Sequence, residues 1–158
     1  MIKRRVGLSL LAGLGMLMVA CGDDSSAVTC QLGEIGCDGD CIPEADGTLA
    51  WVQSQVFDVH SCARSNSCHN GMNPDPRVSF DLSDEDASYA SLVDVESAEV
   101  PPKLLVAPSN VDGSYLVNKL TGEGMADSTV LMPFGAETPL CDAKIDGVRA
   151  WIDAGAQR

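Results

Sequence analysis

Six cysteines decide much of what this chain can become: Cys30, Cys37, Cys41, Cys62, Cys68 and Cys141, with a seventh, Cys21, closing an apolar leader. An even set behind an export-type leader points to an oxidising compartment, where thiols pair and persist as disulfides. Three disulfides would use all six. If Cys62 and Cys68 are committed to another purpose, Cys30, Cys37, Cys41 and Cys141 still pair among themselves. The roughly 137 residues beyond Cys21 are too few for two full domains and suit one core with a small appendage.

The leader has three parts. A basic start, Lys3, Arg4 and Arg5, is followed by an apolar run from Val6 to Ala20 that ends in Val19-Ala20-Cys21. The run falls short of the roughly 20 apolar residues a spanning helix needs, and Gly7, Gly13 and Gly15 interrupt it, so it reads as a cleaved signal core. Small residues before a cysteine resemble a bacterial lipobox. The resemblance implies a lipoprotein signal peptide over 1–20, lipidation at Cys21, and a domain tethered outside the cytoplasm. The outer membrane, facing periplasm or surface, is the expected location. Two or more acyl chains hold a protein stably where one does not.

Removing the leader also removes three cations and no acids, which takes the formal charge from −13 to −16. Such a surface is repelled by phosphates, which excludes nucleic acid, and favours a basic protein partner.

Past the anchor, residues 21–47 read as a solvated tether and a cysteine-rich, glycine-rich loop with too few large apolar residues for a core. Asp38, Asp40 and Asp46 lie close together there but lack the spacing and terminal glutamate of a calcium loop. From Thr48 the texture becomes helical, with Leu49, Val52, Val56 and Val59 at three- and four-residue steps and Trp51 and Phe57 widening the face. Ser83 before Asp84, Glu85 and Asp86 reads as a capped helix start, running through Tyr89, Leu92 and Val93. A further helix spans Ser114 to Leu120, stopped by Gly122 and Gly124. The last helix starts near Asp142 and ends before Gly155, with Ile145, Val148, Trp151 and Ile152 on one face. Gly147 inside it costs about 1 kcal/mol relative to alanine and suggests close approach by another helix. Nothing reads as a sheet, so the expectation is an all-α domain over 48–158 in which Trp51, Phe57, Phe134 and Trp151 pack into the core.

The chemistry concentrates in Cys62-Ala63-Arg64-Ser65-Asn66-Ser67-Cys68-His69. A cysteine followed directly by histidine is what covalent haem attachment uses: thiols form thioethers with the haem vinyl groups, and the adjacent histidine binds iron. A sixth ligand must come from elsewhere in the chain. Met132, before Pro133 in a loop, is the candidate, with Met125 in reserve. Met72 lies too close to His69 to reach the opposite face.

The order of helix, cysteine-histidine, polar loop, Pro108 through Tyr115-Leu116, Met132-Pro133 and terminal Trp151-Ile152-Asp153-Ala154-Gly155-Ala156 resembles the single-haem cytochrome c family, in particular the secreted and lipid-anchored domains of myxobacteria and planctomycetes. The resemblance implies a small helical fold, haem attached at Cys62 and Cys68, His69 as proximal and Met132 as distal ligand, and packing of the first helix on the last. It implies an electron carrier and not an enzyme. The attachment string departs from the family's pattern in having five residues between its cysteines instead of two, which requires Ser65, Asn66 and Ser67 to bulge outward.

Three other readings stand beside it. Cys62 and Cys68 could close a disulfide across the small loop, giving a haem-less, disulfide-stapled binding or structural lipoprotein on the same helical frame. Cys68 alone could hold haem, with Cys62 paired to another cysteine such as Cys141. A zinc site from Cys62, Cys68 and His69 lacks an evident second ligand pair. His60 reads as a helix-end residue, and Asp84, Glu85 and Asp86 as a helix start with no catalytic partner.

Overall fold

The computed structural model describes residues 28–65 and 68–158. The leader, Cys21 and its tether, and the Asn66-Ser67 part of the bulge lie outside the described residues. The chain opens with a hairpin, β1 (Glu34–Cys37) and β2 (Asp40–Pro43), paired antiparallel with Glu34 opposite Pro43 and Cys37 opposite Asp40. Four helical segments follow: α1 (Leu49–Val52), which runs on as a π-helical stretch Gln53–Asp58, α2 (Glu85–Leu92), α3 (Tyr115–Thr121) and α4 (Asp142–Asp153). Helix accounts for 29% and strand for 12%, so the all-α expectation is overturned in favour of a small mixed fold.

The hairpin turns on Asp38-Gly39, both at positive φ (53° and 91°), the conformation that makes Asp-Gly a favoured two-residue hairpin loop. The strands are four residues each, too short to show alternation, and disulfides support them. Cys30–Cys41 closes the hairpin's N-terminal arm, and Cys37–Cys141 ties the turn to the residue that precedes α4. Among the described residues, the four cysteines outside the Cys62–Cys68 string are thereby paired. Because Cys141 bonds Cys37, it is not available to Cys62. Cys37 and Ile42 lie in the same hydrophobic core as Leu49, Val52, Trp151 and Ile152, which joins the cysteine-rich segment to the helices.

Helix α1 starts where Thr48 accepts a hydrogen bond from the Trp51 amide at 3.1 Å, an N-cap that satisfies one of the first-turn donors. The π-helical widening that follows rotates the side-chain face. Val56 and Phe57 are buried, Gln53 turns inward to reach the Leu82 carbonyl and Ser88, and Val59 is left 59% exposed. The 3.6-residue spacing that puts Val59 on the inner face fails for this reason. At α2 the cap is Asp84, which accepts from the Ala87 amide at 2.9 Å, one residue later than the Ser83 expectation. Phe134 departs from the core expectation too: it stands 81% exposed in the loop after Pro133.

Helix α4 carries the stripe its sequence shows, with Ile145, Val148, Trp151 and Ile152 all buried. It packs on α1 through Gly147, where an added Cβ would overlap the Trp51 indole, with even Cε3 at 2.8 Å. The Gly147→Ala variant gains about 1 kcal/mol of helix propensity, but overpacking a rigid ring costs about 1–3 kcal/mol. Because the added Cβ would overlap three ring atoms at once, the upper end of that range applies, and the expected result is a net loss of about 2 kcal/mol in urea unfolding. An unchanged or raised midpoint would show that the two helices can separate freely.

Candidate haem site

The π-helical stretch delivers the chain to Cys62. After a four-residue bond from His60 to Val56 and a three-residue bond from Ser61 to Asp58, the Cys62 amide donates to the Phe57 carbonyl at 3.0 Å, a five-residue bond that holds the cysteine against the end of the helix. Such π-helical stretches are rare and frequently lie at functional sites. The next residues fold back. His69 donates its amide to the Cys62 carbonyl at 2.8 Å, and its own carbonyl accepts from the Leu82 amide at 2.8 Å. The five-residue spacing between the cysteines is thus accommodated by a loop closed at its base, with Cys62 and His69 backbones in direct contact.

His69 is 9% exposed, its ring stacked on Phe80 with centroids 4.0 Å apart and planes 12° from parallel. Its Nδ1 is buried with no hydrogen-bond partner. Such an orphaned group costs about 1–3 kcal/mol of desolvation. Burial also pushes the imidazole below its ordinary pKa, with nearby Lys119 adding to the effect, while the Val78 backbone and Glu99 oppose it. The ring is therefore held neutral with a nitrogen unclaimed, the state required of a metal ligand.

A cavity of about 320 Å³ lies against this ring, lined by Cys62, His69 and Phe80 on one side and by Tyr115, Leu120 and Met132 on others. Its volume and largely apolar wall are those of a small-molecule or cofactor site. Met132 is fixed by its amide, which donates to the Lys119 carbonyl at 2.8 Å. The fold thus brings three of the four expected site residues, Cys62, His69 and Met132, to one cavity. Cys68 does not line it. Its sulfur lies 3.3 Å from the Ser65 hydroxyl on the loop. Among the described residues Cys62 and Cys68 are the free cysteines, and no disulfide joins them. Burial first, then the neighbouring Cys68 and Asp58, pushes the Cys62 thiol up to about 11, so it is a protonated thiol and neither a reactive thiolate nor a preformed metal ligand.

No family model matches the chain, and no curated protein or solved structure is similar to it. The site is therefore read from its own chemistry. The reserve ligand Met125 and the set-aside Met72 do not line the cavity; Met72 is exposed. Among the described residues one cluster has metal-ligand spacing, Cys37, Asp38 and Cys141, but two of its sulfurs are consumed by the disulfide. Two groups escaped sequence reasoning: Glu99 and Lys119, an ion pair at 3.0 Å in the cavity wall. Lys119 sits in the last turn of α3, where a lysine ordinarily faces solvent, so nothing local signals its burial.

His60 lies outside the cavity, its Nε2 3.1 Å from the ammonium of the buried Lys144. Burial first, then Lys144, lowers its pKa, with Asp38 opposing. Both histidines thus bind a proton less readily in the folded chain than at their ordinary value of 6.5. Below that value the unfolded chain binds more protons, so stability is fully present above about pH 6.5 and is lost as pH falls through the lowered folded values. Urea midpoints measured from pH 8 down to pH 5 are expected to fall, and to fall less steeply in His60→Gln. A slope unaffected by that substitution would remove His60 from the account.

Proposed function

We propose that this protein is a lipid-anchored electron carrier outside the cytoplasm, whose Cys62 and Cys68 would hold haem covalently and whose His69 and Met132 would bind its iron. The observation that carries the reading is the cavity: residues far apart in sequence, Cys62, His69 and Met132, line one apolar space beside a buried imidazole nitrogen with no partner. The support comes from this cavity and not from an all-α frame, which the chain lacks. A haem held there supplies a one-electron ferric–ferrous couple.

The chain's own residues would do the rest. Cys62 and Cys68 would hold the group as thioethers, each S–H being added across a vinyl double bond with no net oxidation. Cys62, in the cavity wall, would be the principal attachment, and Cys68, on the loop outside the cavity, would have to turn inward to make the second bond. His69 is oriented by Phe80 and by backbone bonds on both sides. Met132 contributes a thioether, which favours the reduced state, and the surrounding apolar wall excludes water. The acidic surface suits docking to a basic redox protein.

A redox titration of the exported protein, followed by absorbance, tests this reading. A reversible one-electron change in a covalently held chromophore is expected. A colourless protein from a host that matures other c-type cytochromes would contradict it.

A further inference from the structure

The cavity wall is largely apolar, and the charged residues in it are the buried pair of Lys119 and Glu99 and, exposed at its edge, Arg77 and Glu96. Lys119 is buried, its side chain 11% exposed, and both oxygens of the equally shielded Glu99 accept from its ammonium at 3.0 and 3.3 Å. Arg77 also borders the cavity, but it is exposed at the rim and bound to Asp75 at 3.0 and 3.1 Å. An ion pair out of water contributes little to stability for its desolvation cost, and apolar residues of similar volume often serve as well. A purely structural role is thus a weak reason to place a lysine here.

We propose that the Lys119 ammonium is the docking point for a carboxylate of the cavity's occupant, with Glu99 holding the ammonium in place. An ammonium has three donors; Glu99 takes two, which leaves one for the ligand. The occupant this selects has a broad apolar body and a carboxylate at one end. The inference rests on the haem reading, under which that group is a haem propionate. It assigns Lys119 of α3 to the haem's carboxylates and Cys62 to its vinyl side chain.

The test is a binding titration of the full chain, made without haem attachment, using ferric haem and its dimethyl ester, which lacks both carboxylates. A charge-assisted hydrogen bond is worth about 1.5–3 kcal/mol, or about tenfold to a hundredfold in affinity. Lys119→Met should weaken ferric haem by that factor and leave the ester unchanged, while Lys119→Arg keeps most of the affinity. Equal losses for acid and ester, or no loss for either, would overturn the inference while leaving the haem reading standing. Failure of the unsubstituted chain to bind either compound would remove both. Circular dichroism of each variant separates misfolding from lost recognition.

Discussion

Replacing Cys37 and Cys141 together by serine is expected to lower the stability of the folded chain by about 4–5 kcal/mol. The bond spans 104 residues, and closing a loop of that length removes nearly 5 kcal/mol of chain entropy from the unfolded state. Cys37 is also buried against the core, so its replacement leaves a hydroxyl in an apolar setting. Cys30–Cys41 closes a loop of only 11 residues, for which the same relation gives about 3 kcal/mol. The two double variants should therefore separate clearly in urea unfolding, with the Cys37–Cys141 variant the weaker. Equal losses, or a smaller loss at Cys37 and Cys141, would mean that the hairpin does not hold α4 to the core through this bond.

The second large effect has opposite signs in two assays. His69→Phe keeps an aromatic ring on Phe80 and removes both ring nitrogens. In the haem-free chain the orphaned Nδ1 is a liability of about 1–3 kcal/mol, offset in part by the lost interaction with the Val78 backbone. Stability is therefore expected to hold or to rise by about 1 kcal/mol, and the acid sensitivity owed to this ring to disappear. Under the haem proposal function should suffer instead: with the proposed iron ligand at position 69 gone, retained haem in exported protein should fall at least tenfold. A residue that costs stability when empty and is needed when filled has the signature of a site under functional demand. A His69→Phe variant that unfolds readily would instead make His69 an ordinary core residue.

The sequence made α4 legible because its apolar stripe has helical spacing and its ends are marked by Asp142 and Gly155. The hairpin was missed although Asp38-Gly39 stands in plain view. Four-residue strands pinned by cysteines need no alternation and no β-branched residues, so the usual strand signal is absent. The π-helical stretch was invisible for a different reason: Val59 fits a 3.6-residue face, and only the widened hydrogen bonding turns it to solvent. At the site, Cys62, His69 and Met132 were readable because each belongs to a chemical string or loop. The cavity wall was not. Phe80 and Glu99 reach it along irregular chain between the helices, where isolated bridges such as Asn70 with Asp81 and Glu96 with Leu104 replace regular elements, and Lys119 reaches it from the last turn of α3. Those bridges depend on tertiary contact and leave no periodic trace.

The disulfide pattern sharpens the central question. With Cys30, Cys37, Cys41 and Cys141 paired, the chemistry of Cys62 and Cys68 alone separates an electron carrier from a disulfide-stapled binding module. The deciding measurement is mass spectrometry of denatured protein exported from a host with intact cytochrome c maturation, alkylated before and after reduction. The account predicts a retained mass increment of one haem, four cysteines that become alkylatable only on reduction, and Cys62 and Cys68 blocked throughout. Absence of haem with all six cysteines released by reduction would contradict it.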